Sequence, residues 1–174
     1  MSNPAPERLI NYRVYDSGNN LIGVATVDLP DLEAMTDTVS GAGIAGEIDS
    51  PVLGHFGSMT TTINWRTITG DATRLAAQRV HALEVRGSQQ IHDAGTGEYK
   101  TEPVRVVMRC VPKNLSMGSM EVGSTTDSAS EFEVTYLKVF VGGKERIELD
   151  KYNFKFVVAG NDLLASVRRD LGMN

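Results

Sequence analysis

Apolar and polar residues alternate along most of this chain, the two-residue period of strands with one buried face. Ile10, Tyr12 and Val14 alternate with Asn11, Arg13 and Tyr15. After the turn formers Ser17-Gly18-Asn19-Asn20, Leu21, Gly23, Ala25, Val27 and Leu29 continue on one face to Pro30. The pattern predicts a hairpin over residues 9–29 with a four-residue loop. Residues 31–39 alternate more weakly. Residues 60–68 are β-branched, with Ile63 and Trp65 on one face, and predict a strand. Leu83, Val85, Gly87, Gln89 and Ile91 predict another. The turn at 93–97 leads to its partner over 99–111, where Val104, Val106, Met108 and Cys110 share a face. Pro112 is expected to end that strand, and residues 118–123 read as a short strand before a small-residue loop at 124–130.

Residues 131–141 carry the clearest strand, with Phe132, Val134, Tyr136 and Phe140 alternating with Glu131, Glu133, Thr135 and Leu137. Gly142-Gly143 signals a two-residue hairpin, and residues 144–158 run back. Ile147 and Leu149 fall out of phase with Tyr152, Phe154 and Phe156. A bulge or bend near Asp150-Lys151 would restore one apolar face, and a strand covered on both sides is the alternative. Two segments read as helices. Residues 71–81 have Asp71 as a cap and partial helical spacing at Leu75, Ala76, Arg79 and Val80. At the C-terminus, Asn161 caps, Asp162 lies in the first turn, Leu163, Leu164, Val167 and Leu171 form a stripe, and Gly172 fits the position after the helix. Residues 40–57 read as one long loop, with Pro51, glycines at 41, 43, 46, 54 and 57, and few charges. Loops of that length are more often functional than idle. The resulting fold class is mainly β: a barrel or sandwich of antiparallel strands with a flanking short helix and a C-terminal helix.

Length and composition narrow the function. The chain has 174 residues, one domain's worth, and shows no linker or fixed repeat. Its 41% hydrophobic content argues against disorder. A net charge of −5 argues against tight nucleic-acid binding. A single cysteine, Cys110, builds neither a disulfide nor a multi-cysteine zinc site, and a buried, inert thiol is expected. His55, His81 and His92 lack metal-ligand spacing. Gly41-Ala42-Gly43-Ile44-Ala45-Gly46 matches a dinucleotide-binding pattern but has neither a buried strand before it nor a helix after it, so it reads as flexible loop. No signal peptide, membrane span, nucleophile elbow or phosphate loop is present, and no catalytic, cofactor or metal residues are assigned. Glu131, Glu133, Glu145, Glu148 and Asp150 concentrate acid on the late hairpin, which reads as a solvated face or as one that must not adhere to a polyanion.

Four segments taken in order resemble a known family. They are Leu29-Pro30-Asp31-Leu32, Val85-Arg86-Gly87 with the Thr96-Gly97-Glu98 turn, Glu131-Phe132-Glu133-Val134-Thr135-Tyr136, and Ile147-Glu148-Leu149-Asp150 continuing through Gly160-Asn161-Asp162-Leu163-Leu164-Ala165-Ser166-Val167-Arg168-Arg169-Asp170-Leu171-Gly172. Together they resemble the major tail tube proteins of contractile-tailed bacteriophages, and the last segment is the most specific. The resemblance covers about residues 9–172. It implies a single tail-tube domain over 1–174 that self-assembles into stacked hexameric rings. These would form the inner tube of a virion tail, assembled in the host cytoplasm and crossed by DNA without specific binding. Sheath, baseplate and tape-measure proteins are the implied partners, with no membrane anchor and no cofactor.

On that resemblance, the 40–57 loop becomes the candidate ring-stacking element through Gly41, Gly43, Ile44, Gly46, Pro51, Val52, Leu53, His55 and Phe56. Glu131, Glu133 and Glu148 become candidate lumen residues. Asp162 and Arg168 match positions of the terminal helix; six residues apart, they are not expected to form a helical ion pair, and helix support or subunit contact is the expected role. A genome-free contractile particle, either an R-type bacteriocin or a type VI secretion tube, would use a similar subunit. A β-barrel around a small apolar ligand is the alternative from another class.

Overall fold

A computed structural model describes residues 2–23 and 26–173, so the expected passage of the first hairpin through Ala25 lies outside the described residues. The alternating segments form one large antiparallel sheet. Its central strands are β1 (Pro4–Asp16), β7 (His81–Asp93), β8 (Glu98–Ser116) and β9 (Ser128–Val141). Short β2 (Asn20–Ile22) pairs with the end of β1, whereas β3 (Thr26–Asp28) leaves that hairpin to pair with β6 (Thr60–Trp65). At the far side β10 (Lys144–Asp150), β11 (Lys155–Val158) and the two-residue β12 (Asn161–Asp162) complete the order β12-β11-β10-β9-β8-β7-β1-β2. A separate two-stranded sheet pairs β4 (Ala34–Ser40) with β5 (Glu47–Phe56).

β9 folds the sheet over. Along one edge, its residues 128–133 pair with β6 and residues 136–141 with β10. Thr135 is the extra residue between Cys110↔Val134 and Arg109↔Tyr136, a bulge that bends the strand. The arrangement is sandwich-like rather than a closed barrel. Ile63 and Trp65 of β6, together with Ala72 and Leu75, pack against Leu83, Met108, Cys110, Phe132 and Val134, all buried. Trp65 Nε1 donates to Ser130 Oγ at 2.9 Å, which satisfies the one polar atom of that large side chain.

Several boundaries differ from expectation. Helix α1 covers only Gly70–Arg74, capped by Thr69, whose Oγ1 accepts from Ala72 N, rather than by Asp71. The segment after it turns back because His81 is taken into the ladder opposite Cys110. β8 runs through Pro112: β7 ends opposite Cys110, so β8 has an open edge there, where a missing N–H is tolerated. Residues 118–123 are irregular chain ending in a turn at 122–123, not a strand. Gly118 lies so close to the Thr126 carbonyl that a Cβ would come within 1.8 Å of its oxygen.

Residues 144–158 are not one bulged strand but the β10–β11 hairpin. Asp150 accepts from the Tyr152 and Asn153 amides, both at 3.1 Å, and this turn accounts for the phase change. Helix α2 spans only Ala165–Asp170 and starts after Leu164, because Asn161 and Asp162 pair with Val158 and Val157 as β12. The segment read as a loop at 40–57 is largely strand β5. Glycine and proline density hid a pairing that only β4 reveals.

Candidate functional site

The β4–β5 hairpin stands off the sandwich as an arm. Every residue of β4 is exposed, and Met35, Val39, Ile48, Val52 and Leu53 are large apolar side chains left in solvent. The tip, residues 41–46, turns on Gly41, Gly43 and Gly46, all at positive φ, where glycine alone is unstrained. Ile44 N donates to Gly41 O at 3.2 Å across it. Thr38 Oγ1 donates to Asp49 Oδ1 at 2.8 Å and ties the two strands together. The chain from 14 to 65 contains no lysine or arginine, so Asp37, Glu47 and Asp49 give the arm an acidic as well as apolar character.

Of the residues expected to stack rings, Gly41, Gly43, Ile44 and Gly46 form the tip. Pro51, Val52, Leu53 and His55 lie on the returning strand, Pro51 opposite Thr36. Phe56 does not belong with them. It packs edge-on against Phe156 with ring centroids 4.9 Å apart and joins the margin of the core, so it anchors the arm. Gly54 is the second anchor: at φ +68° its backbone meets buried Leu164, and an added Cβ would sit 2.5 Å from Leu164 Cδ1. The alternation around the glycine tip, with Met35 and Val39 before it and Ile48 after it, is the signal by which the arm could have been found in sequence.

Glu131, Glu133 and Glu148 share the sheet face turned away from the core, but each is compensated. Lys113 Nζ lies 3.6 Å from Glu131 and 3.5 Å from Glu133. Glu133 also accepts from Ser58 Oγ at 2.6 Å and from Met59 N at 3.2 Å. Burial pushes its carboxyl up, yet these donors, with Lys113 and Lys151, hold it below the ordinary range. Glu148 is nearly buried, with Lys155 Nζ at 3.0 Å and Tyr136 Oη at 3.0 Å. Its carboxyl too is lowered against the opposing effect of burial, while burial and the Glu148 contact push the Tyr136 phenol up to about 12. The acidic run visible in sequence is thus a charge-balanced surface, and the lysines that balance it were the residues missed.

Asp162 and Arg168 do pair with one another, because Asp162 precedes the helix instead of lying in it. Arg168 donates to Asp162 Oδ2 at 2.5 Å and Oδ1 at 3.3 Å, and to the Phe154 carbonyl at 2.9 Å, tying α2 back onto the β10–β11 turn. The Arg168 guanidinium holds the Asp162 carboxyl below its usual value.

The chemistry-bearing side chains do not converge. His55 is on the arm, His81 Nε2 lies 3.0 Å from the Ala77 carbonyl, and His92 packs against Tyr99. Cys110 is fully buried, and burial pushes its thiol up to about 12. Among the described residues no group of acidic, histidine or cysteine side chains is placed to hold a metal ion. A cavity of about 190 Å³ between β1, β3, β7 and β8, lined by residues such as Val27, Val85, Val104 and Val106, is apolar. It is smaller than the roughly 300–1,000 Å³ of drug-sized ligand sites.

Comparison with known proteins agrees with a structural role. The tail tube protein of Escherichia phage P2 is 31% identical over an alignment that covers 97% of this chain and 98% of that protein. Among solved structures, the sheath/tube terminator of an extracellular contractile injection system, in its extended state, superposes with a TM-score of 0.52. It covers 78% of this chain and 97% of the other at 15% identity, a likeness of fold. The family model for phage tail tube protein FII matches residues 6–172, and the chain belongs to that family of structural tail proteins, not enzymes.

Proposed function

We propose that this chain is the repeating subunit of the inner tube of a contractile phage tail. Copies join laterally into hexameric rings, the arm of each subunit engages the next ring, and the stacked rings form a conduit inside a sheath. The tube is a virion component, assembled in the host cytoplasm with baseplate and tape-measure proteins, and DNA crosses it without sequence recognition. Full-length similarity to a phage tail tube protein supports the reading, and the arm is the observation that carries it. A two-stranded hairpin is marginal by itself in water, and exposed apolar strands invite pairing with another chain. An arm that leaves Val39, Ile48 and Leu53 in solvent acquires a physical rationale when a second copy covers it. The sheet face bearing Glu131, Glu133 and Glu148 is the proposed lumen wall, where paired charges let a polyanion pass without lasting attraction.

The arm is tested by the double variant Val39→Asp, Ile48→Asp, viewed by negative-stain electron microscopy beside the unaltered protein. Both sites are exposed, so the sandwich should keep its fold and thermal transition. Single rings or short stacks in place of long tubes are expected. Tubes of unchanged length would exclude the arm as the stacking element.

A further inference from the structure

Charge is not evenly spread over the proposed lumen face. The β9–β10 side carries the balanced lysines and glutamates, whereas the β1–β7–β8 side carries arginines. The strand registers place Arg13 opposite Arg86 and Arg86 opposite Arg105. Like charges directly opposite one another on adjacent strands repel, and Arg86 is held against that repulsion by donating to the Gly18 carbonyl and Asn19 Oδ1, both at 3.4 Å. Among the described residues Glu84 is the carboxylate paired with this row, 2.5 Å from Arg86 and 3.9 Å from Arg105. Among the described residues, Arg13 has no ion-pair partner. Aromatic rings hold two of the guanidinium groups in place: Arg86 lies 4.3 Å from the centroid of Tyr15, and Arg105 4.1 Å from that of Phe140. The arginines are exposed and lie one strand spacing apart, about 5 Å.

We propose that Arg13, Arg86 and Arg105 form a contact for the phosphate backbone of double-stranded DNA, independent of base sequence. The assignment rests on the reading that this face lines the tube. A duplex presents about one negative charge per 1.7 Å of its axis, and oriented guanidinium groups donate two parallel hydrogen bonds to a phosphate. Each subunit supplies one such row. Its affinity alone is low, and repetition around a ring steadies the passing duplex without arresting it. The competing occupant is the acidic arm of another copy. The surroundings favour phosphate: the arm needs apolar cover for Val39 and Ile48, whereas Asn11 and Ser88 flank the arginines with neutral polar groups.

The test is fluorescence anisotropy of a labelled 20-base-pair duplex titrated with the unassembled chain, at salt concentrations between about 50 and 200 mM. Three phosphate contacts predict a slope of log K against log salt near −2.7, the same for duplexes of unrelated sequence. Arg13→Gln, which disturbs no ion pair, should reduce the slope by about 0.9. The triple variant Arg13→Gln, Arg86→Gln, Arg105→Gln should lose binding and still form tubes. Absence of binding at the lowest salt, or an unchanged slope in the variants, would overturn the proposal. So would a triple variant that no longer forms tubes but binds DNA as before, which would make the row a contact between copies. Binding by a chain that never forms tubes would leave the contact standing and count against the tube reading instead.

Discussion

Single carboxylates do much of the fastening in this molecule, and Asp16 and Asp93 do so through partners far away in sequence. Asp16 is buried at the end of β1 and is met by Arg74 from α1. Asp93 collects Ser2 Oγ, the Asn3 and Gly95 amides and Lys100, which holds its carboxyl far below the usual range and closes the β7–β8 turn over the N-terminus. Asp162 fastens the C-terminal helix through Arg168. The Asp162 carboxyl is lowered in the folded chain, so its contribution is complete above the unfolded value, near 4, and is lost as pH falls through the folded value. Acidification below about pH 4 should therefore loosen α2 before the sandwich melts. Amide exchange over residues 163–172 should rise there, and Asp162→Asn should show fast exchange already at neutral pH. A tail equally protected in both proteins would contradict the role given to this pair.

Gly54 and Phe56 seat β5 against Leu164 and Phe156, so the arm's direction is coupled to the C-terminal segment. Gly54→Ala puts a Cβ into Leu164 at a backbone conformation that disfavours any side chain, and a cost of about 1–3 kcal/mol is expected. Denaturant unfolding should register that loss, and exchange should increase at the arm base and at 163–165 while β7–β9 stay protected. Unaltered exchange in both segments would show that the arm is not seated there.

What could be read in the sequence follows the same division. Strands β6 to β9 were legible because strict alternation records one buried face, and the Gly142-Gly143 turn between β9 and β10 was legible from its residues. The arm was legible only in the alternation of Met35, Val39 and Ile48, which its glycine-rich tip and Pro51 interrupt, because two exposed strands bury nothing that would sharpen the period. The start of α2 was misplaced because β11 captured Asn161 and Asp162, a tertiary event. The charge balance of Glu131, Glu133 and Glu148 was hidden for a similar reason: Lys113 and Lys155 reach them only after the strands pair.

The molecule joins a sandwich that is complete in its core to surfaces that are not. The core closes around Trp65, Phe132 and Met108, all buried. The arm leaves apolar strands exposed. β2 pairs only with residues 14–16 of β1, so the outer edge of β1 over residues 4–13 has no neighbouring strand among the described residues. Unpaired edges and apolar projections are liabilities in a monomer and joints in a polymer. The resemblance read from residues 9–172 and the family match over 6–172 point to the same use of those joints, which no single motif encodes.

Tube assembly is tested most directly by electron microscopy of the purified chain across a concentration series, seeded with sheared ends of contractile tails. Hollow tubes with six-fold end views that lengthen with protein concentration are expected. Discrete monomers at every concentration, with seeds that fail to grow, would contradict it.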